Sequence, residues 1–241
     1  MFNINISLMR KTFLFTILIT SFGISQNWFQ IGSDIDGEAA GDWSGYSISL
    51  SSDGNRVAIG AYGNDGTGDL AGHARIYSES VGAWTQVGAD IDGEAAGDHS
   101  GRSVSLSSDG KRVAIGAHGN DGTGDIAGHA RIYMEILGSG TIGDPYQIAT
   151  LYDLLWLSQQ AGNSDATGLY WSRNYIQTAN IDATATSGWN SGAGFSPIGT
   201  PTWSFLGDYN GQNYSISNLF INRGSSDNIG LFGYANGFRS A

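Results

Sequence analysis

The chain has 241 residues, of which 14% are charged, 37 are Gly, only 3 are Pro and none is Cys. The lack of Cys excludes disulfides, cysteine nucleophiles and thiolate metal sites, and a formal net charge of −11 argues against a nucleic-acid binder built on basic patches. A hydrophobic content of 40% supplies a core, and turns made by Gly rather than Pro favour many short strands over helices.

Residues 1–25 read as a secretory signal peptide. Arg10 and Lys11 precede an apolar stretch, Phe13–Ile19, extended by Phe22 and Ile24, and the small residues Gly23 and Ser25 place a cleavage site before Gln26. The stretch is shorter than the roughly 20 residues of a membrane span; an N-terminal anchor or a buried strand is the competing reading. Removal of the signal leaves an acidic chain with Lys111 as its only lysine. Such a chain suits a bacterial envelope or extracellular setting, where it repels anionic membranes and nucleic acid and attracts divalent cations.

The strongest signal is a duplication. Trp28–Tyr77 aligns without a gap on Trp84–Tyr133, an offset of 56 residues, and nine of the 50 aligned positions differ. Ile31/Val87, Ile48/Val104 and Leu70/Ile126 are exchanges expected within a core. Trp43/His99, Tyr46/Arg102, Asn55/Lys111 and Tyr62/His118 change chemistry, so these side chains are expected to meet solvent or a neighbouring unit. A period of this length points to solenoids, propellers or arrays.

Each copy carries four strand signals. In the second copy Trp84–Gly88 opens the unit with alternating apolar residues. Ser103–Ser107 and Arg112–Gly116 alternate with period two about the reversal Asp109-Gly110, and His129–Tyr133 closes it. In the first copy Ser47–Ser51, Asp53-Gly54, Arg56–Gly60 and His73–Tyr77 repeat the pattern. Four strands is the content of one propeller blade. His73 and His129, alternating with core residues, are expected to face outward.

Gly45-Tyr46, Asp53-Gly54 and Gly60-Ala61-Tyr62, matched by Gly101-Arg102, Asp109-Gly110 and Gly116-Ala117-His118, resemble the FG-GAP repeat, the blade unit of integrin-alpha-type β-propellers. The resemblance covers roughly residues 27–134, within a repeat domain of residues 26–134. It departs from the family in lacking the Phe before Gly, in replacing the Pro of the final triplet, and in shortening the acidic loop that holds calcium in the family to Ser-Ser-Asp-Gly. Two blades do not close a ring, since propellers use about four to eight. The sequence therefore points to a truncated product, to packing on the domain that follows, or to several chains assembling.

Other acidic clusters remain as calcium candidates. Asp34, Asp36, Glu38 and Asp42 recur as Asp90, Asp92, Glu94 and Asp98. Calcium takes several oxygen ligands from a flexible loop, but the glycine spacing does not fit the helical calcium loop. A second acidic loop, Asn64, Asp65 and Asp69, recurs as Asn120, Asp121 and Asp125. Turn chemistry, in which Asp, Asn and Gly bond their own backbone, is the competing account.

After Tyr133 the pattern changes. Gly138–Gly143 is a glycine-rich linker, and Thr150 with Asp153 forms a capping-box signal opening a short amphipathic helix that ends near Gly162. Short strands follow at Tyr175–Ile181, Trp203–Leu206, Tyr214–Ile216, Leu219–Ile221 and Ile229–Leu231. Asn218 and Asn222 are placed to ladder at the turns of stacked coils. Asp144–Thr150, Asp208–Gly211, Ile216–Leu219 and Gly230–Gly233 resemble the start of a GLUG-type region over about residues 138–237, within a domain of residues 138–241. That resemblance implies a right-handed parallel β-helix of a secreted bacterial surface protein. A leucine-rich horseshoe is the competing solenoid, but no 20–29-residue repeat is present.

No nucleophile elbow, phosphate loop or zinc motif occurs. Asp182 and Asp208 are the nearest approach to the two facing carboxylates of a glycoside hydrolase. Trp171, Trp189 and Trp203 are candidate sugar-stacking side chains, with burial in the coil as the alternative. The sequence thus predicts an all-β chain: two propeller-blade-like four-stranded units, then the start of a right-handed parallel β-helix with one short capping helix. It would be secreted or on the bacterial cell surface and mediate adhesion or interaction with an extracellular protein or glycan, without catalysis or a certain cofactor, calcium being possible. The alternative is a carbohydrate-binding accessory module of a secreted polysaccharide-degrading enzyme.

Overall fold

The computed structural model describes residues 27–165, 168–224 and 227–236; the signal-peptide segment, residues 1–25, lies outside them. The described chain is mostly β with one α-helix. None of its helices is long and apolar enough to cross a membrane.

The first copy of the repeat forms β1 (Ser47–Leu50), β2 (Arg56–Ala61) and β3 (His73–Ser80), paired antiparallel in that order. Asp53 closes the β1–β2 reversal by accepting from Ser51 Oγ at 2.6 Å and from the Asn55 amide at 3.1 Å. These bonds hold its carboxyl below the ordinary value. The fourth strand of this sheet is β4 (Ala83–Gln86), followed by the short β5 (Ile91–Asp92); both pair with β3, β4 along Tyr77–Ser80 and β5 along His73–Ala74. The second copy gives β6 (Ser100–Leu106), β7 (Arg112–Ala117) and β8 (His129–Met134), a three-stranded antiparallel sheet with a register shift between Ser100 and Ser103.

This arrangement corrects one expectation. The segment from Trp84 does not open the sheet of its own copy; it closes the sheet of the copy before it. The cause is local. Val81 and Gly82 both have positive φ, at 52° and 79°, the geometry of a two-residue type I′ reversal. The chain leaving β3 is therefore folded straight back onto it. Val81-Gly82 lacks the usual Asn-Gly signature, so the turn was hidden.

The two sheets stack face to face. Ala58 and Ala74 of the first meet Val113 and Ile115 of the second, with Ile76, Ile91, Val104, Leu106 and Tyr133 at the margins. Small residues on one side against branched residues on the other let the backbones approach closely. Gly60 is the limiting case: a Cβ there would lie 1.9 Å from the Gly101 carbonyl oxygen. Ser47 Oγ donates to that same oxygen at 2.7 Å.

Beyond residue 138 most of the pairing is parallel; Ser164–Asp165 with Gly168–Leu169 and the Gly194–Ile221 bridge are antiparallel. β9 (Tyr146–Ile148) leads into α1 (Leu151–Ser158), then β10 (Ser164–Asp165), β11 (Gly168–Leu169), β12 (Asn174–Gln177), β13 (Ile181–Asp182), β14 (Asp208–Asn210) and β15 (Ile216–Ser217). β12 lies between β9 and β14, and β13 pairs with β15, all parallel. Further parallel bridges join Ile198 to Phe232 and Phe205 to Ala235. Tyr175, Ile148, Leu154, Leu157, Phe195 and Ile198 are fully buried between these rungs. Asn218, at a φ of 59°, donates to Asp182 Oδ1 at 3.0 Å beside the paired strands β13 and β15. The helix starts where the capping box places it: Thr150 Oγ1 accepts from the Asp153 amide, and Asp153 Oδ2 accepts from the Thr150 amide at 2.7 Å.

Candidate functional site

Five rings and one guanidinium from the two repeat copies join into one continuous ribbon. Trp43 stacks on Tyr62 with centroids 4.9 Å apart and planes 26° apart, and Tyr46 meets Tyr62 edge-on at 4.5 Å. Tyr62 reaches across to His99 of the second copy at 5.7 Å, and His99 stacks on His118 at 5.0 Å. The Arg102 guanidinium sits 5.4 Å from the Tyr46 ring centre and 5.2 Å from that of Tyr62, a cation–π arrangement. Trp43, Tyr46, Arg102 and His118 are exposed, and Tyr62 and His99 half-buried.

The backbone displays these rings deliberately. Trp43 and His99 sit at positive φ, 51° and 54°, in the turn before β1 or β6. Tyr62 and His118 directly follow β2 and β7. A Cβ on Gly63 would lie 2.6 Å from the Trp43 ring and 2.4 Å from the Gly41 carbonyl oxygen, so only Gly lets the ring lie there. Asp42 anchors the turn: its carboxylate accepts from the Ala39 amide at 3.0 Å and from Asn64 Nδ2 at 3.2 Å. Asp98 does the same with the Ala95 amide at 3.1 Å and Asn120 Nδ2 at 3.2 Å. The His118 pKa is lowered, first by desolvation and then by the like charges of Arg102 and His99.

The eight acidic candidates separate into distinct roles. Asp42 and Asp98 are the buried turn anchors just described. Asp34 accepts from Gln30 Nε2 at 2.8 Å, the Asp36 carbonyl accepts from Arg75 Nη2 at 2.8 Å, and Asp92 lies exposed on β5. Glu94 pairs with Arg131 and lies 3.8 Å from His129 Nδ1. Glu38 and Asp90 converge on His73, whose Nδ1 is 3.9 Å from Glu38 Oε2 and 3.7 Å from Asp90 Oδ2. His73 is 1% exposed, not outward-facing. The reason is β5, which covers that end of β3; His129 has no such cover among the described residues and is only half-buried.

The tryptophan candidates are also resolved. Trp171 is 3% exposed with its indole N–H donated to the Leu157 carbonyl at 2.7 Å, which leaves no ring face for a sugar. Trp189 is half-buried beside Phe195 at 6.5 Å. Trp203 is exposed over a shallow recess lined by Gln160, Leu169 and Leu206. The three do not form a common platform. Asp182 is tied to Thr184 Oγ1 at 2.6 Å and to Asn218, which lowers its pKa, the wrong direction for a general acid.

Sequence reasoning missed the ribbon as a unit. Its signal was present in the three divergent pairs Trp43/His99, Tyr46/Arg102 and Tyr62/His118, but only the stacking of the sheets brings them together. Comparison with known proteins follows the same repeat. Residues 84–133 match the family model for the FG-GAP repeat. The chain is 43% identical over 101 residues to Halomucin of Haloquadratum walsbyi (strain DSM 16790 / HBSQ001), a match covering 41% of this chain and 1% of that protein. The second copy of the 56-residue unit is thus similar to the FG-GAP repeat, and the chain spans about a hundredth of the length of the curated relative it resembles.

Proposed function

We propose that this chain is an extracellular or cell-surface repeat protein that binds a protein or glycan partner through the Trp43–His118 ribbon, with no chemistry of its own. One observation carries the reading. The two copies are near-identical, yet three of their chemistry-changing differences fall on the six residues of one exposed ribbon. A scaffold is repeated while a surface diverges, as a recognition surface should. Exposed aromatic faces and a guanidinium supply both stacking and hydrogen bonding to such a partner. The FG-GAP match and the likeness to Halomucin support a location outside the cell. The stacked sheets support blade-like units, and the parallel rungs after residue 138 support the start of a parallel β-helix.

The test is a glycan array and a panel of immobilised extracellular proteins probed with the full chain. Tyr62→Ala is expected to weaken the best hit at least about tenfold, the scale of losing one well-placed aromatic contact. Trp203→Ala should leave it unchanged. The reverse pattern would transfer the site to the second module and favour the carbohydrate-binding accessory role.

A further inference from the structure

The interface between the two sheets has a template character that the 56-residue period makes readable. Several elements of that interface have a counterpart 56 residues away on an exposed face, while the counterparts of Val113, Ile115 and Tyr133, which are Val57, Ile59 and Tyr77, are buried beside Ile35 and Trp84. Val104 and Leu106 are packed between the sheets, whereas their counterparts Ile48 and Leu50 are 68% and 59% exposed. Ala74 is fully buried and Ile76 partly so, whereas their counterparts Ala130 and Ile132 are exposed, Ile132 at 76%. The first sheet therefore bares, at Ile48 and Leu50, part of the face that the second sheet uses, and the second bares, at Ala130 and Ile132, part of the face that the first uses.

The strand edges carry the same mismatch. The outer edge of β3 is covered by β4 and β5, while among the described residues β8 pairs only with β7. The counterpart of β4 is the segment 27–30, which is in no strand and holds Trp28, 94% exposed, and Phe29. Polar partners follow suit. Arg56 pairs with Glu135 across the sheets, and the counterparts Arg112 and Glu79 have no ion pair with each other.

We propose that copies of this chain associate head to tail, the second sheet of one copy stacking on the first sheet of the next. In that contact residues 27–30 of the partner subunit add to β8. The register carries over from the internal pairs Tyr77↔Gln86, Ser78↔Thr85 and Glu79↔Trp84. Gln30 of the partner subunit then faces Tyr133, Phe29 of the partner subunit faces Met134, and Trp28 of the partner subunit faces Glu135. An unpaired strand edge is a ready template for such addition. Because the two faces differ, the contact is heterologous and propagates into a ring or an open filament.

The occupant is a second copy because the complementary exposed positions, Ile48 and Leu50 on one sheet and Ala130 and Ile132 on the other, repeat those that meet inside the chain. Ile48→Asp and Ile132→Asp each place a charge on one exposed face, so both variants should fold, as circular dichroism checks. In analytical ultracentrifugation the wild-type chain is expected to exceed twice the monomer mass as concentration rises. Each variant alone should stay monomeric, and an equimolar mixture should stop at the dimer, since each keeps the face the other needs. A wild-type chain that is monomeric throughout, or variants that associate as the wild type does, would overturn the proposal.

A separate observation, the orphaned imidazole of His73, points to a divalent-cation site. Neither ring nitrogen has a hydrogen-bond partner in the described structure although both are buried. The ligand atoms of Glu38, His73 and Asp90 lie within 4.8 Å of one another. One nitrogen and two carboxylates suit zinc rather than calcium, which prefers oxygens alone. Calorimetric titration of the full chain with zinc is expected to give one site whose affinity falls at least tenfold in His73→Gln and in Asp90→Asn but not in His129→Gln. No zinc binding, or equal binding by the two ligand variants, would overturn this assignment.

Discussion

Arg56 and Glu135 form a two-pronged ion pair 79 residues apart in sequence, Nη1 to Oε2 at 2.7 Å and Nη2 to Oε1 at 3.1 Å. The same guanidinium reaches the Gly110 carbonyl at 3.2 Å, so one side chain ties the start of β2 to the turn and the exit strand of the second sheet. Both side chains are about four-fifths buried, where planar bidentate geometry matters more than charge alone. Arg56→Ala is expected to lower unfolding stability by about 1–2 kcal/mol, between the values for exposed and fully buried pairs. Arg56→Lys should recover less than half, because a point charge cannot span both oxygens. Urea unfolding followed by tryptophan fluorescence measures both.

Val81 offers the opposite sign. It is wholly exposed and holds a φ of 52°, a conformation a β-branched side chain resists. Val81→Asn keeps the reversal and relieves that cost. The expected gain is about 0.5–1 kcal/mol, read as a rise in the urea midpoint without a change in slope.

The ring ribbon responds to acid. His118 has a lowered pKa because protonation is opposed by desolvation and by Arg102 and His99. A depressed histidine pKa means that the folded state favours the neutral ring. The associated stability is present above the ordinary value of 6.5 and is lost as pH falls through the lower folded value. Imidazole proton resonances should titrate at higher pH in Arg102→Ala than in the parent. Partner binding should weaken on acidification in step with that titration.

Tyr209 supplies an alkaline counterpart. Burial pushes its hydroxyl from 10.0 up to about 12, and the hydroxyl donates to Gln177 Oε1 at 3.2 Å beneath the Phe232 ring. For an acid whose folded pKa is raised, stability is intact below the unfolded value and falls as pH rises between about 10 and about 12. Tyrosinate absorbance should show a late-ionising group that disappears in Tyr209→Phe.

The N-cap of α1 is a local test of the second module. Asp153 satisfies the amides of Ala149 and Thr150. Thr150→Ala is expected to cost about 1 kcal/mol, seen by differential unfolding of the parallel rungs.

The duplication made most of the repeat region readable, since period-two alternation marks β1, β2 and β7 within a residue or two, while β6 starts three residues early, before its register shift at Ser100–Ser103. What it concealed was where one sheet ends. Phase along a periodic chain is undetermined by the period itself, and the reversal at Val81-Gly82 carried no familiar turn residues. The capping box at Thr150 was legible because its chemistry is local. The burial of His73 was not, because β5, which covers it, belongs to the following copy. The same holds for the ribbon: alignment of the two copies shows that Tyr62 and His118 differ, but only the close approach of the sheets at Gly60 and Gly101 brings Tyr62 to His99. Trp171 was misleading because an indole suited to stacking is equally suited to filling a rung and donating to Leu157.

The borrowing of β4 also bears on how arrays of this kind change in length. Gain or loss of one whole 56-residue period leaves every interior sheet complete, wherever along the period the recombination falls. The penalty is confined to the two ends, which remain as they were. Copy number can therefore drift at little energetic cost, and each new unit arrives with a fresh set of ring positions free to diverge.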